Sequence, residues 1–373
     1  MSKNMNVPKL RFSEFSGEWE EKKLGNIFKI TAGGDIKPEN VSLFKDDIFK
    51  YPIYANAEKN KGFYGYANIY KIEANVITIA GRGVNLGIAH ARKHKFYPIV
   101  RLLVLNPKIE SNIDFFEYQI NNLNMLIEST GVPQLTAPQI SKYKVCFPSK
   151  PEQEKIASFL TSVDTKIEQL TKKESLLREY KKGVMSKIFN QEIRFKDDDG
   201  REFPEWENSS LGNVLDYVQP TKYLVKDTEY NNSYNTPVLT AGKTFVLGYT
   251  NETDGIFGNN LPVIIFDDFT TANKFVDFPF KAKSSAMKIL IPKNSNNIKF
   301  IYETMQMIKY EVGGHERHWI SKFTFLNIFM PCIQEQTKIA NFLSSIDKKI
   351  ELTTKELNST KEFKKALLQQ MFV

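Results

Sequence analysis

PSKPEQEKIASFLTSVDTKIEQLTKKESLLREYKKGVMSKIF, residues 148–189, and PCIQEQTKIANFLSSIDKKIELTTKELNSTKEFKKALLQQMF, residues 331–372, are one passage written twice. They align without a gap at an offset of 183, and 19 of the 42 positions are identical. A weaker echo lies upstream of each. Arg11-Phe12, Gly17-Glu18-Trp19-Glu20 and Leu24-Gly25-Asn26 return as Arg194-Phe195, Pro204-Glu205-Trp206-Glu207 and Leu211-Gly212-Asn213. Trp19 and Trp206 are 187 apart, so the second copy is shorter by a net four residues. Internal repetition decides the architecture before any local reading does, and this period is too long for a solenoid. The chain is a duplicated unit. Each copy is a globular segment of roughly 130 residues, an ordinary domain size, closed by a long basic segment.

The closing segments read as helices. In the first copy, Ile156, Leu160, Val163, Ile167, Leu170, Leu177, Val184 and Ile188 fall in alternating steps of four and three, with Glu174 and Lys181 as polar interruptions. That is a heptad seam sustained for more than four repeats. The second copy keeps the phase with Ile339, Leu343, Ile346, Ile350, Leu357, Leu367 and Met371, and has Thr353, Thr360 and Lys364 as its polar members. About 38 helical residues span roughly 57 Å at 1.5 Å per residue. Pro151 suits a helix start. Each helix read as a core element of its own domain is the competing possibility. One narrow stripe in two matched helices favours an antiparallel pair with pseudo-twofold symmetry.

The globular segments read as α/β, and the fold class expected is two α/β (α+β) domains joined by two long antiparallel coiled-coil helices. Ala74–Ala80 and Ile99–Leu105 alternate as strands do. A helix follows with Phe116, Ile120, Leu123 and Ile127 on one face, and Val145–Pro148 leads into the long helix. In the second copy the strands are Pro262–Phe266 and Met287–Ile291, and Ile301, Met305 and Ile308 mark the helix. The loops differ between the copies. After the first strand stand Gly81-Arg82-Gly83-Val84-Asn85-Leu86-Gly87 in one and Asp267-Asp268-Phe269-Thr270-Thr271-Ala272-Asn273-Lys274 in the other. Before the last strand stand Gly131–Thr136 and Gly314–Trp319. The division expected is 1–148 and 191–331 for the two domains, and 149–190 and 332–373 for the two helices.

Composition narrows the function. Lys plus Arg number 51 against 43 acidic residues, a net charge of +8 that favours an acidic partner, nucleic acid first. No apolar run is long enough to span a bilayer, and the first residues lack the apolar stretch of a secretory signal. Cys146 and Cys332 are the only cysteines and have no metal spacing. A cytoplasmic protein is expected.

Catalytic motifs fail when tested. Ala241-Gly242-Lys243-Thr244 ends like a phosphate loop, but Pro237 stands where glycine is required, and Phe245–Tyr249 reads as strand and turn, not helix. His315-Glu316-Arg317-His318 spaces its histidines at i and i+3, one short of the zinc motif, with no evident third ligand; a base- or phosphate-contacting loop tipped by Trp319 fits better. Gly81-Arg82-Gly83 serves a tight turn as well as a phosphate. Asp197-Asp198-Asp199-Gly200 lacks the alternation of a calcium loop. The chain itself is expected to be non-catalytic and to bind no metal.

The duplicated Pro-x-x-x-Glu-Gln-x-Lys-Ile-Ala-x-Phe-Leu-x-Ser-(Val/Ile)-Asp helix start resembles the specificity subunit of a type I restriction–modification system. So do the Gly-Glu-Trp-Glu…Leu-Gly opening and Val132-Pro133-Gln134-Leu135, and the likeness covers essentially the whole chain. The second copy lacks the Val-Pro-Gln-Leu wording. The resemblance implies two target-recognition domains that each read half of a bipartite double-stranded DNA site, with the helix pair as a ruler for the unread gap. It implies two methyltransferase subunits, which use S-adenosylmethionine, and two restriction subunits driven by ATP with Mg; those cofactors belong to the partners. Candidate DNA contacts are Arg82, Asn85, Arg92, Lys93, Gln134 and Thr136 in the first domain. In the second they are Lys243, Thr244, Thr270, Thr271, Lys274, Arg317, His318 and Trp319. The competing reading is a scaffold or inhibitor that keeps the frame without reading DNA; a salt-dependent DNA affinity separates the two.

Overall fold

The computed structural model describes residues 6–56, 59–123, 125, 134–240, 242, 244–310 and 317–373. Contacts divide the chain into two units, one made of residues 1–171 with 355–373 and the other of 172–354. Each unit therefore holds one globular segment, the first half of one long helix and the last half of the other. The helices run Lys150–Phe189 and Ile333–Met371.

In the first unit the main sheet is antiparallel, in the order Phe28–Ala32, Leu103–Pro107, Val76–Ile79, Ala89–Arg92. The second unit repeats it as Leu215–Val218, Met287–Pro292, Val263–Asp267, Asn273–Val276. A helix packs on each sheet, Ile113–Asn121 and Ile298–Met307. Asn112 and Asn297 cap them by accepting the Phe115 and Phe300 N–H groups at 2.9 and 3.1 Å. A two-stranded ribbon closes each segment: Glu20–Lys23 with Lys144–Phe147, and Glu207–Ser210 with Asn327–Met330. A smaller sheet of short strands lies in each unit as well, built on Tyr51–Tyr54 and on Thr236–Leu239.

Two strand starts shift from the sequence expectation by two residues or more, both for backbone reasons. The strand expected from Ile99 begins at Leu103, because Val100 and Arg101 take left-handed φ of 50° and 57° and turn the chain. The strand expected from Ala74 begins at Val76, after Asn75 with φ 57°. The first short helix ends at Asn121, so Leu123, expected on it, falls past its end, and Ile127 lies outside the described residues; the second ends at Met307, with Ile308, expected on it, as its cap.

The repeated motifs build the same corner twice. Glu152 accepts Nε and Nη2 of Arg11 at 2.7 and 2.8 Å and the Trp19 indole N–H at 3.4 Å. Glu335 accepts Nε and Nη2 of Arg194 at 3.2 and 2.8 Å and the Trp206 N–H at 3.0 Å. The neighbouring glutamines, Gln153 and Gln336, accept the Asn112 and Asn297 N–H groups at 2.9 Å and donate to the Pro148 and Pro331 carbonyls at 2.9 Å. Buried polar groups need such closure, which accounts for the Glu-Gln pair in the helix motif. The Leu-Gly signature has a steric cause. A Cβ on Gly25 would sit 2.8 Å from Ser141 Cβ, and one on Gly212 3.0 Å from Thr324 Cβ.

Each unit's core ends on the tail of the other copy's helix. Leu367, Met371 and Phe372 join Trp19, Leu24 and Phe115 in the first unit, with Phe372 5.4 Å from the Phe115 ring. Met185 and Ile188 join Trp206, Leu211 and Phe300 in the second, with Phe189 5.6 Å from the Phe300 ring. Within each unit the two helix halves run antiparallel. Asp164 pairs with Lys364 and Lys166 with Glu356 in the first; Glu174 meets Thr354 and Lys181 meets Asp347 in the second. The seam residues are mostly buried, at about 1.5–3 kcal/mol for each large apolar side chain. They supply the stability, and the polar members Lys181 and Lys364 supply direction and register.

Candidate nucleic-acid interface

The loop that leaves the strand Val76–Ile79 and the loop that precedes the strand Lys144–Phe147 meet at a backbone bond: Leu135 N–H donates to Gly81 O at 2.9 Å. Side chains tie the rest. Asn56 Oδ1 accepts the Gly81 N–H at 2.9 Å while its amide donates to Val100 O at 2.6 Å. Arg82 forks onto Gln134 Oε1 at 3.1 and 2.6 Å. Thr136 caps the short helix Ala137–Ser141 in a capping box with Gln139. Gly83 and Gly87, at φ 81° and 89°, make the turn that presents Val84, 86% exposed, and Asn85.

The second unit forms the same junction from other residues. His318 N–H donates to Asp268 O at 2.8 Å, the counterpart of the Leu135–Gly81 bond. Asp268 Oδ1 accepts the Trp319 N–H at 2.8 Å, and its Oδ2 lies 3.7 Å from Lys288 Nζ, both side chains only 1% exposed. Asp267 Oδ1 accepts the Phe269 and Thr270 N–H groups at 2.8 and 3.0 Å, so the loop turns tightly and leaves Phe269 and Thr270 outward. Arg317 is exposed beside this turn.

The candidate contacts thus separate. Arg82, Asn85, Gln134 and Thr136 share one loop junction; Thr270, Thr271 and Arg317 share the other. Lys274 is exposed on the adjoining strand Asn273–Val276. Thr244 is exposed in the turn before Val246–Thr250, the strand expected there; Lys243 and His315-Glu316 lie outside the described residues. Lys93 is exposed but paired with Asp114 at 2.8 Å. Three candidates are buried. Arg92 donates to Thr78 Oγ1 at 3.0 Å and Lys61 O at 2.5 Å and stacks 3.6 Å over Tyr54, and burial lowers its pKa. His318 meets Tyr310 Oη at 3.2 Å, and Trp319 packs on Phe266 at 5.3 Å, inside the core and not at a loop tip.

Two participants carry no local sequence signal. Asn56 lies on a different element from the loop it organises. Arg101, exposed at a left-handed position, puts its carbonyl 3.3 Å from where a Gly81 Cβ would be. Among the described residues there is no group of three or more His, Cys, Asp or Glu able to hold a metal, and no helix long and apolar enough to cross a membrane.

Comparison with known proteins agrees with this two-unit plan. Residues 16–178 and 204–362 match the family described as Type I restriction modification DNA specificity domain. A type I restriction enzyme specificity subunit of Escherichia coli is 49% identical over 164 residues, 41% of each chain. The matched part is thus well under half of that relative's length. A putative type I restriction enzyme specificity subunit of Methanocaldococcus jannaschii is 25% identical over 92% of this chain and 82% of its own. The crystal structure of a type I restriction-modification system S subunit from M. genitalium shares the fold, with TM-score 0.75 and 16% identity over 98% of this chain and 99% of that one. With both halves matched to one family, the chain belongs to the type I restriction–modification DNA specificity family.

Proposed function

We propose that this chain is the sequence-reading frame of a type I restriction–modification complex: each unit reads one half of a bipartite double-stranded DNA target, and the helix pair sets the unread gap. The observation that carries this reading is the shared junction. The Leu135–Gly81 and His318–Asp268 backbone bonds place the same two loops together in both units, while the exposed residues around them differ. A common scaffold with two different edges suits two different half-sites. Base edges are read by side chains such as Arg and Gln, while Lys and Arg on phosphate hold position and make affinity fall with salt. The frame docks two methyltransferase subunits, and two restriction subunits complete the complex; S-adenosylmethionine, ATP and Mg act there, so this chain directs adenine methylation and cleavage without performing either.

The test is an adenine-methylation map of a host with active methyltransferase subunits, with and without this gene. Loss of one interrupted motif on both strands is expected. An unchanged map, together with DNA affinity of the complex that does not depend on this chain, overturns the reading.

A further inference from the structure

Asp164–Lys364 and Asp347–Lys181 are the same pair in the two copies, 2.5 and 2.7 Å apart, each joining the two long helices. In each unit a third party reaches them from the short helix of the globular segment. In the first unit Tyr118 Oη donates to Asp164 Oδ2 at 2.7 Å, and Lys364 lies 5.3 Å over the Tyr118 ring. In the second unit Lys299 donates to Asp347 Oδ2 at 2.7 Å and pairs with Glu303 at 2.7 Å, while Glu303 takes Lys181 at 3.0 Å. Asp114 and Tyr118 sit where Lys299 and Glu303 sit in the other copy, four residues apart in both.

The charge count is the same. Lys364 against Asp164 with a neutral Tyr118 sums to zero, and so do Lys181 and Lys299 against Asp347 and Glu303. A half-buried knot that gains one unpaired charge loses stability, whereas a balanced set holds.

We propose that the Asp–Lys pair of the helix frame is a common socket, and that each recognition segment plugs it with its own charge-balanced chemistry, Tyr118 in one and Lys299–Glu303 in the other. The plug fixes the orientation of the short helix, and through it the main sheet and reading loops, on the helix frame. Tyr118, Lys299 and Glu303 are positioning residues on this account, which rests on the DNA-reading function above.

The socket is tested by transplanting one plug into the other unit. Tyr118→Glu alone puts a second carboxylate beside Asp164 with one lysine between them. Asp114→Lys with Tyr118→Glu rebuilds the second unit's plug; Lys93, which pairs with Asp114 at 2.8 Å and would face the new lysine, is changed to alanine in every protein compared, the reference included. Expected for the single variant, in the complete complex, is about tenfold less methylation at the native motif, with relaxed sequence choice confined to the half-site of the first unit; the double variant returns to within about threefold of the reference, a coupling of the size neighbouring charges show. A single variant as active and selective as the reference overturns the proposal. So does a double variant no better than the single one, once circular dichroism shows both folded. Tyr118→Phe, which removes only the hydroxyl, covers the case in which the single variant does not fold: it is expected to fold and to relax the same half-site, and unchanged selectivity overturns the proposal. Thermal melting of the purified chains reads the same coupling without DNA, so the socket stands or falls even if no interrupted motif is found.

Discussion

Gly81 in the first unit and Asp268 in the second occupy one place and make one backbone bond, yet their surroundings are opposite in kind. Gly81 is followed across the sheet by an apolar neighbour, with Leu103 Cγ 3.6 Å from where its Cβ would be. Asp268 faces Lys288, and both are buried. The first junction is closed by packing and by the Arg82–Gln134 fork near the surface; the second is closed by a buried ion pair beneath it. The Arg11–Glu152–Trp19 and Arg194–Glu335–Trp206 corners, by contrast, are the same residues in the same roles. What repeats unchanged is the corner that ties each segment to the start of its own long helix. What has diverged is the edge that carries the reading loops, where only the backbone bond is kept.

That contrast is broken most directly at the corners. Glu152→Ala and Glu335→Ala each take the buried carboxylate from an arginine and an indole N–H, leaving the arginines their backbone carbonyl acceptors and Arg194 its exposed partner Glu205, a loss of about 3 kcal/mol at the lower end for a broken buried pair. Urea unfolding of the two variants should give similar losses, because the two corners are built alike. A difference of more than about 2 kcal/mol, beyond ordinary context scatter, would show that one unit does not depend on its corner.

The junctions should behave unequally. Asp268→Ala leaves Lys288 buried with no carboxylate among the described residues and takes the side-chain acceptor from the Trp319 N–H, and a loss of about 3 kcal/mol is expected. Gly81→Ala adds one methyl group 3.1 Å from Leu135 O and 3.3 Å from Arg101 O, an overpacking cost of about 1–2 kcal/mol. Equal losses in the same unfolding assay would mean that the two edges are held alike after all.

Reading is the next smaller effect. Arg317→Ala and Arg82→Ala each remove a guanidinium from one junction only. A specific base contact contributes about 1–3 kcal/mol of discrimination, so methylation maps should show roughly tenfold weaker choice at one half-site and an unchanged other half. Unchanged methylation with unchanged DNA affinity removes that arginine from the reading edge. If either change weakens all sequences uniformly, the residue holds phosphate.

The long helices were legible because a heptad seam is local and repeats, and the order of strands and short helices was legible because their apolar periodicity is local too. Partners distant in sequence were not. Glu152 stands in the most repeated motif of the chain, but its partner Arg11 is 141 residues away; the signal available was that both halves of the pair recur at the same offset of 183. Lys181 and Lys364 showed as breaks in the seam without showing that Asp347 and Asp164 answer them. The reading edges were visible as diverged loops, yet His318 and Trp319 look exposed in a polar segment and are drawn inside by Asp268. Strands of two to five residues in the smaller sheets carry too few alternations to be seen.

Acid should probe the smallest difference between the units. Burial opposes the charge on Asp347, but hydrogen bonds from Lys181 and Lys299 outweigh it and hold its pKa below the usual carboxylate value. A carboxylate whose folded pKa lies below its unfolded one stabilises the fold at pH values above the unfolded pKa, and that contribution is lost as pH falls through the folded one. Asp347→Asn is therefore expected to be less stable than wild type at neutral pH, with the gap narrowing as pH falls below about 4, where the unfolded chain takes up the proton, and closing once pH passes the lower folded value. Urea midpoints of the two proteins across that range provide the measurement. A gap that stays constant from neutral pH down to about pH 3 would mean that Asp347 acts through its shape and hydrogen bonds and not its charge, and the second unit's four-member knot would then differ from the Asp164–Lys364–Tyr118 knot in number only.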